Sequence, residues 1–315
     1  MVERIRETLQ YDPPPLSVTS ESEKDDVNYR RGETRGVELG VEEIEGRHDF
    51  PETVQPGGFV EVLDVPLTVD DLRPIFPMLS ERQWSQVEKL GDLLKEWNEK
   101  VNLISRKDIA NVLGRHVLPC LSLVREFDFV DGTRVLDVGT GGGLPGLPLA
   151  ICFPRVYFVL IDGKGKKIRA VQDMASKLGL SNVQAVHTRA EMLEETFDFV
   201  LGRAVTSLPK FVGWVDKNLR ANDKGPPDQG RNGQSKCSKA GRHPNGGLKR
   251  GILYLRGEAT AEELAELGAD PSQVLTISDI IGGDGVIASQ MRDRGYSSVF
   301  HFTSEAIWSR RRAKT

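Results

Sequence analysis

From residue 126 onward, the chain alternates short apolar runs with longer amphipathic stretches. The apolar runs are four to six residues long, and they lie at residues 135–138, 156–161, 183–186, 197–201, 252–255, 274–277 and 298–302. Runs of this length predict buried strands, and the amphipathic stretches between them predict helices. Strands that alternate with helices predict an α/β fold with a doubly wound, mostly parallel seven-stranded sheet. The last two strands are expected at an antiparallel end of that sheet.

Two amphipathic helices are predicted ahead of the sheet. Ser80 and Gln83 fit a capping box, which marks the start of the first helix. Apolar residues then recur at helical spacing, first at Trp84, Val87, Leu90, Leu94 and Trp97, and then from Ile109 to Val124. We expect these helices to form a helical cap over residues 79–125, ahead of a core domain at 126–315. His116 lies on the second stripe, and a hydrogen-bonded core histidine is favoured there over a catalytic one.

Charge is distributed unevenly along the chain. The formal net charge is −4, but residues 1–66 contain sixteen acidic and seven basic side chains, so that the remainder carries +5. A modestly basic remainder is compatible with contacts to nucleic-acid phosphates. The acidic segment has few large apolar residues and contains Pro13-Pro14-Pro15. This composition predicts a disordered extension over residues 1–78.

A second stretch of biased composition lies inside the predicted core domain. Residues 221–247 are rich in glycine, proline and small polar residues. Such a stretch predicts a flexible, low-complexity loop insertion, placed between the helix after the fourth strand and the strand at 252–255.

The sequence contains neither a secretory signal nor a run long enough to span a membrane, and its acidic start differs from acid-poor transit peptides. We therefore expect a cytosolic monomer without a membrane partner, with the chloroplast stroma or another organelle as the alternative for a nuclear gene. The three cysteines form no C-x-x-C motif, and the five histidines have no metal-ligand spacing. A reduced protein without a metal site is expected.

The strongest chemical signal is a glycine-rich turn directly after the first predicted strand. Residues 135–138 lead into Gly139, Gly141 and Gly143, and a helix is predicted to begin near Leu144. Glycines at such a turn permit positive φ and let a ligand approach the bare backbone. The helix is expected to direct its free N–H groups into the same crevice. The turn therefore predicts a site for a nucleotide cofactor.

Two cofactor classes fit this turn. Gly141, Gly143 and Gly146 satisfy the dinucleotide pattern G-x-G-x-x-G, which packs glycines against a pyrophosphate. Asp137, just before the turn, favours a different cofactor, because its carboxylate would repel a pyrophosphate but could hold the ammonium group of a methionine moiety.

The ends of the next three predicted strands add polar residues to the same site. Asp162 ends the second strand, at the spacing where a βαβ unit places an acid on ribose hydroxyls. Ala190 and Glu191 follow the third strand, and Arg203 follows the fourth. Because the turns after parallel strands gather along one edge of a sheet, we expect these residues to line a single cleft.

Basic residues follow Asp162 at the start of a predicted helix. Lys164, Lys166 and Lys167 oppose the dipole of that helix, which favours another use for them, such as contact with a polyanion. Together with Arg115, they are the candidate residues for contact with such a partner, which would be RNA if the polyanion is a nucleic acid.

Several sequence blocks occur in an order that resembles one known family. They are Trp97 to Ser105, Arg115-His116, the turn from Asp137 to Pro148, Asp162 to Lys167, Arg189-Ala190-Glu191 and Arg203 to Leu208. In these blocks the chain resembles the RsmG (glucose-inhibited division protein B) family, bacterial-type methyltransferases that act on N7 of a guanine in 16S ribosomal RNA. The resemblance extends from Leu79 to the C-terminus, apart from the insertion. It implies a class I methyltransferase (Rossmann-like) fold, S-adenosylmethionine as cofactor and small-subunit ribosomal RNA as partner.

The resemblance also implies positions for the cofactor contacts. These are Gly139, Leu144, Ala190, Glu191 and Arg203, to which the arguments above add Asp137, Gly141, Gly143 and Asp162. The chain departs from the family at Pro119, where an acid is common, so that Arg115 is expected to lose one partner. It departs again at Arg256-Gly257, where a Lys-Gly pair is common and the positive charge is kept.

The function predicted from the sequence is therefore S-adenosylmethionine-dependent methylation of guanine N7 in small-subunit (16S-type) ribosomal RNA. N7 carries a lone pair and no proton, so that the reaction needs alignment rather than a general base, and no catalytic residue is assigned. Three alternatives stay open: a small-molecule methyltransferase, an NAD-dependent oxidoreductase and a non-catalytic ribosome-assembly factor.

Overall fold

The computed structural model describes residues 66–220, 249–257, 259–282, 287–288 and 298–313. For residues 311–313 it describes the backbone alone. The predictions for residues 1–65 and for the insertion at 221–247 therefore lie outside the described residues. Among the helices of the described ranges, none has both the length and the hydropathy needed to cross a lipid bilayer.

The described ranges contain helices on both sides of a central sheet. Helices α1 to α9 are Val69–Leu72, Glu81–Lys100, Leu118–Glu126, Gly146–Cys152, Gly165–Lys177, Leu208–Val215, Ala261–Leu267, Ile277–Ile281 and Ser304–Ala313. Short 3₁₀ turns lie at Ile109–Asn111, Ala190–Met192 and Asp216–Asn218, and a π-helical segment lies at Leu113–Val117.

Strands β1 to β7 are Arg134–Val138, Tyr157–Asp162, Val183–His187, Phe199–Arg203, Gly251–Arg256, Gln273–Thr276 and Ser298–Thr303. Each predicted strand is present within two residues of its predicted ends. The strand order is β3-β2-β1-β4-β5-β7-β6. The first five strands run parallel, and β7 is antiparallel to both β5 and β6. This topology confirms the predicted doubly wound, mostly parallel sheet with an antiparallel end.

Alternate residues of the central strands enter two separate hydrophobic cores. On one face, Phe158 and Leu160 of β2 pack with α2, α3, α4 and α5. On the other face, Val159 and Ile161 pack with α6. Because the strand order reverses between β1 and β4, the carboxyl ends of these two strands form the crevice where such folds bind ligands.

The two helices predicted as a cap are present. The Ser80 hydroxyl accepts a hydrogen bond from the Gln83 N–H, and the Gln83 side chain accepts one from the Ser80 N–H, which is the predicted capping box. Trp84 of α2 and Leu121 of α3 belong to the same hydrophobic core as Val135 of β1. The cap is therefore one helical layer of the core domain rather than a separately packed unit.

The described chain differs from the prediction at its start. Residues 66–78, predicted as part of a disordered extension ending at 78, include helix α1 with its capping box at Thr68. Leu72 and Phe76 are fully buried, and the Phe76 ring lies 6.5 Å from the Trp84 ring. The predicted boundary at residue 78 is therefore too late. Sequence periodicity missed this segment because a four-residue helix offers too few positions to show a repeat.

Candidate functional site

A cleft of about 550 Å³ lies along the carboxyl ends of β1, β2 and β4 and beside the turn after β3. Seven of the predicted cofactor residues line it, namely Gly139, Gly141, Leu144, Asp162, Ala190, Glu191 and Arg203. Asp137 and Gly143 belong to the same turn but do not line the cleft. The structure thus brings the predicted residues together, and their cofactor contacts stay predictions.

The glycine turn between β1 and α4 has the backbone conformation that its sequence predicts. The φ angles of Gly139, Gly141 and Gly143 are +67°, +59° and +82°, all in the left-handed region. A Cβ atom at Gly139 would lie 2.9 Å from a methyl carbon of Val205. Crowding as well as backbone conformation therefore requires glycine at this position.

Asp137 supports the glycine turn from beneath. Its side chain is fully buried, and its Oδ2 accepts hydrogen bonds from the Thr140 hydroxyl (2.6 Å) and the Gly146 N–H (3.0 Å). Within the described residues, Oδ1 has no hydrogen-bond partner. Burial raises the pKa of this carboxyl to about 6. Asp137 therefore fixes the shape of the turn, and it does not line the cleft.

The start of helix α4 differs from the prediction. The helix begins at Gly146 rather than near Leu144, and the Gly146 N–H donates to Asp137. The Leu147 N–H donates to the Gly143 carbonyl (2.7 Å). The expectation that free N–H groups of this helix start point into the crevice is therefore wrong, because a carboxylate and the turn itself accept from them.

The dinucleotide pattern has a packing explanation in this structure. A Cβ atom at Gly146 would lie 2.7 Å from Leu160 and 2.8 Å from Asp137 Oδ2. The third glycine of G-x-G-x-x-G is thus required where α4 crosses β2. With a carboxylate at the helix start, this turn is unsuited to a pyrophosphate.

Asp162 joins the turns that follow β1 and β2. Its Oδ2 accepts a hydrogen bond from the Gly141 N–H (3.1 Å), and its Oδ1 accepts one from the Lys164 N–H (2.8 Å). The side chain is half-buried and lines the cleft. Each carboxylate oxygen keeps lone pairs for a further hydrogen bond. The same group can therefore hold the glycine turn and accept from a ligand hydroxyl.

The turn after β4 is held by a residue that the sequence did not single out. The hydroxyl of Tyr254, from β5, accepts from the Val205 and Thr206 N–H groups at 3.0 Å each and donates to the Thr206 carbonyl at 2.7 Å. This places Val205 against Gly139, so that the β4 turn and the glycine turn are in contact. Tyrosine in an apolar strand gives no local signal of such a role, since its partners lie 48 and 49 residues away.

Arg203, at the end of β4, links the sheet to the helical layer. Its Nη1 donates to the His116 carbonyl (2.8 Å), and its Nη2 is 2.9 Å from His116 Nδ1. Burial and the neighbouring Arg203 and Arg115 lower the pKa of His116 to about 3. His116 is thus a hydrogen-bonded, largely buried histidine, as we favoured from the sequence. It also lines the cleft.

Comparison with known proteins identifies a matching family model and several sequence relatives. The model of the family GidB, rRNA small subunit methyltransferase G, matches residues 83–225. The ribosomal RNA small subunit methyltransferase G of Flavobacterium johnsoniae is 43% identical over 201 residues, which are 64% of this chain and 86% of the relative. The protein of the same name from Porphyromonas gingivalis is 44% identical over 202 residues, 64% of this chain and 88% of the relative.

The chain belongs to the rRNA small subunit methyltransferase G family. The resemblance inferred from the motifs is thereby confirmed. Among solved structures, a SAM dependent methyltransferase from Aquifex aeolicus has a TM-score of 0.38 and 15% identity, with 60% of this chain and 90% of that one covered. The family assignment is based on the sequence relatives.

The family block from Trp97 to Ser105 builds one wall of the cleft. Asn98 Oδ1 accepts from the N–H groups of Leu103 and Ile104, both at 2.9 Å, and these two residues line the cleft. The Trp97 indole donates to Asp173 of α5 at 2.7 Å. The block therefore ties the end of α2 to α5 and fixes the loop that follows it.

The departure from the family at Pro119 is compensated elsewhere. Pro119 offers no carboxylate to Arg115, and Arg115 forms an ion pair with Asp108 in the loop before the π-helical segment. Its side chain is 25% exposed and does not line the cleft. Arg115 is therefore held within the helical layer, which makes it the weakest of the RNA-binding candidates.

The candidate RNA-binding lysines differ in position. Lys164 and Lys167 line the mouth of the cleft, whereas Lys166 is exposed outside it. Further cleft residues that carried no site assignment from the sequence are Leu103, Ile104, Thr188, Val205 and Trp214. Within the described ranges, no group of three or more His, Cys, Asp or Glu residues is arranged to hold a metal ion.

Proposed function

We propose that this chain transfers a methyl group from S-adenosylmethionine to N7 of a guanine in 16S-type small-subunit ribosomal RNA. One observation carries the proposal: the glycine turn, Asp162 and Arg203 border one cleft in a chain that belongs to a small-subunit rRNA methyltransferase family. S-adenosylmethionine is the cofactor of this methyl transfer, and small-subunit ribosomal RNA is its substrate.

The residues of the cleft fit this cofactor. A volume of about 550 Å³ lies within the ordinary range of small-molecule sites, roughly 300–1,000 Å³. The turn from Gly139 to Leu144 exposes backbone without side chains where the methionine moiety would lie. Asp162 stands at the end of β2, where it can accept from ribose hydroxyls. Ala190 and Glu191 extend the cleft beyond Asp162 and would contact the adenine end.

The reaction requires the chain to align the reacting groups and to shield them from water. It requires no proton transfer. When bound, the cofactor supplies a methyl group on a positively charged sulfur. Guanine N7 would accept that methyl group through its lone pair, and the residues of the cleft would hold the base and the cofactor in line. Since N7 has no proton to lose, no side chain near the cleft has to act as a base. The walls at Leu103, Ile104 and Val205 hold the reacting groups in line and exclude water.

The NAD-dependent alternative is disfavoured by the start of α4. The Asp137 carboxylate accepts from the Gly146 N–H, which is where a dinucleotide-binding fold would place its pyrophosphate. Isothermal titration with S-adenosylhomocysteine and with NAD separates the two classes. We expect binding of S-adenosylhomocysteine alone, and binding of NAD alone would overturn the proposal.

Methyl transfer is tested directly on RNA. Small ribosomal subunits from cells lacking this gene are incubated with the full chain and labelled S-adenosylmethionine, and the 16S-type RNA is digested for mass spectrometry. One new N7-methylguanosine per RNA is expected. RNA binding without any methyl transfer would instead favour a non-catalytic assembly factor, and transfer to a small molecule alone would favour a small-molecule methyltransferase.

We further propose that the protein acts as a monomer on RNA, wherever bacterial-type small ribosomal subunits are assembled. Among the described residues, the exposed large apolar side chains are Val130 and Val274, which lie on separate parts of the fold. Two isolated valines do not make an apolar patch of the size that stable dimers bury. Lys164, Lys166 and Lys167 supply positive charge beside the cleft for contact with RNA phosphates.

A further inference from the structure

One guanidinium joins the cleft to the helical layer. Nη1 of Arg203 donates to the His116 carbonyl at 2.8 Å and to Cys120 Sγ at 3.5 Å. Nη2 donates to the Arg115 carbonyl at 3.3 Å and lies 2.9 Å from His116 Nδ1. Both terminal nitrogens of a cleft-lining arginine are therefore directed at the segment that contains His116.

The tautomer of His116 follows from these contacts. A guanidinium has donors and no acceptor, so that His116 Nδ1 must accept and the ring proton must lie on Nε2. The Nε2 atom is 3.8 Å from Asp108 Oδ2, and Asp108 is itself paired with Arg115. His116 is thus a neutral acceptor toward Arg203, with its N–H on the side of Asp108.

The backbone around His116 has an unusual conformation. Residues Leu113–Val117 form a π-helical turn, closed by a hydrogen bond from the Leu118 N–H to the Leu113 carbonyl. Such turns are rare and occur frequently at functional sites. Here the turn places both the carbonyl and the ring of His116 beside the same guanidinium. One terminal nitrogen of Arg203 contacts the carbonyl and the other contacts the ring.

The position of Arg203 decides the electrostatics of the cleft. Gly202 pairs with Val138 in the sheet, so that Arg203 stands level with Gly139 at the glycine turn. Burial raises the pKa of the Asp137 carboxyl most, and the charge of Asp162 raises it further while that of Arg203 lowers it. Without an acceptor on the helical layer, the guanidinium would be drawn to the acidic side chains and its charge would be neutralised.

We propose that His116 is a positioning residue, which holds the Arg203 guanidinium on the wall of the cleft so that its positive charge faces the carboxylate of the bound methionine moiety. This inference rests on the proposed function, since it concerns the binding of S-adenosylmethionine. It assigns His116 no proton transfer and no contact with the methyl group. The role of His116 depends on Nδ1, which accepts a hydrogen bond from Arg203.

Two substitutions separate this role from a general packing role. In His116→Asn, the amide oxygen can replace Nδ1 as acceptor, whereas in His116→Gln the longer side chain carries its amide to the position of Nε2. We expect the Gln variant to bind S-adenosylhomocysteine about tenfold more weakly, the loss of one charge-assisted hydrogen bond, and the Asn variant to stay within about threefold of wild type. The KM for S-adenosylmethionine should rise in the Gln variant more than kcat falls.

The controls use the same chain. Asp108→Asn changes the group nearest to His116 Nε2 and leaves the acceptor at Nδ1 in place. We therefore expect its affinity for S-adenosylhomocysteine to stay within about threefold of wild type. Arg203→Lys removes the second terminal nitrogen without changing charge, and should weaken S-adenosylhomocysteine binding as much as His116→Gln. This variant tests the inference even where a His116 variant does not fold. Melting temperatures of all variants record any loss of stability separately.

Equal affinities of the Asn and Gln variants, or wild-type affinity in Arg203→Lys, would overturn the inference. A purely structural role would lower the melting temperature of both His116 variants without separating their affinities. Failure of the proposed function is distinguishable, because it would appear as absent S-adenosylhomocysteine binding and absent methyl transfer in the wild-type protein.

Discussion

Two buried ionisable residues near the cleft respond to pH in opposite directions. Burial raises the pKa of Asp137 to about 6, so that its contribution to stability is present below its unfolded value of 3.8 and is lost as pH rises through 6. Burial lowers the pKa of His116 to about 3 from 6.5, so that its contribution is present above 6.5 and is lost as pH falls toward 3. Between pH 4 and 6 the two effects oppose each other.

Asp137→Asn should therefore change the pH dependence of stability. The variant lacks the carboxyl that takes up a proton in the folded state, so that its free energy of unfolding should fall more steeply than that of wild type when pH is lowered from 6 to 4. The expected difference over this interval is on the order of 2 kcal/mol. Urea unfolding at pH 4, 5 and 6 measures it, and parallel profiles would show that this carboxyl is not perturbed by burial.

The glycine turn provides a matched pair of substitutions. Gly139 and Gly179 have nearly equal φ angles, +67° and +68°, but a Cβ atom meets Val205 only at Gly139 and meets nothing within 4 Å at Gly179. Alanine costs roughly 1–2 kcal/mol of backbone strain at either position. We expect only Gly139→Ala to weaken S-adenosylhomocysteine binding, by tenfold or more. Equal affinities in a calorimetric titration would show that the glycine turn does not border the bound cofactor.

At the scale of elements, the cleft depends on turns that are held by residues of other strands. The turn after β4 relies on Tyr254 of β5, and the glycine turn relies on Asp162 of β2. Strand positions follow from apolar runs, because burial on both faces of a parallel sheet requires them. The contacts of the turns do not follow, because each joins residues that are distant in sequence.

Tyr254→Phe tests the support of the β4 turn. The substitution keeps the ring in the core but removes the hydroxyl that bonds the Val205 and Thr206 backbone. We expect the free energy of unfolding to fall by about 1–3 kcal/mol, since three backbone groups lose a partner. Because Val205 packs against Gly139, affinity for S-adenosylhomocysteine should fall as well. A variant with unchanged thermal stability and affinity would contradict this account of the turn.

At the scale of the whole molecule, the net charge of −4 conceals the basic part of the chain. The acidic excess lies in residues 1–66, and the rest of the chain is modestly basic. The exposed Lys166 stands beside the cleft but outside it, so that it can contact RNA phosphate without touching the cofactor. We therefore expect that a substitution at Lys166 can alter substrate binding without altering cofactor binding.

Lys166→Ala should weaken RNA binding and leave S-adenosylhomocysteine affinity unchanged. Loss of one phosphate contact should reduce the slope of log affinity against log salt concentration by about 1. Lys95→Ala is the control, since Lys95 is exposed on α2, pairs with Asp92 and lies outside the cleft. An unchanged salt dependence in Lys166→Ala would remove this residue from the RNA surface.

The sequence by itself determined the sheet, the glycine turn and the set of turns that meet at the cleft. Apolar runs fixed the strands within two residues, and the glycines predicted the positive φ angles that the structure shows. It also placed Asp162 and Arg203 correctly at strand ends. These features are local or follow from the topology of parallel strands, so that spacing along the chain is enough to reveal them.

Only the tertiary structure decided which polar and charged groups form hydrogen bonds or ion pairs with one another. Asp137 holds the turn and does not line the cleft, Asp108 pairs with Arg115, and Arg203 bonds His116 across 87 residues. Such pairings depend on how helices and turns are oriented around the sheet, and most buried polar groups form hydrogen bonds with whatever partner is in reach. Local periodicity carries no information on that geometry, which is why the sequence identified the residues of the site but not the contacts that position them.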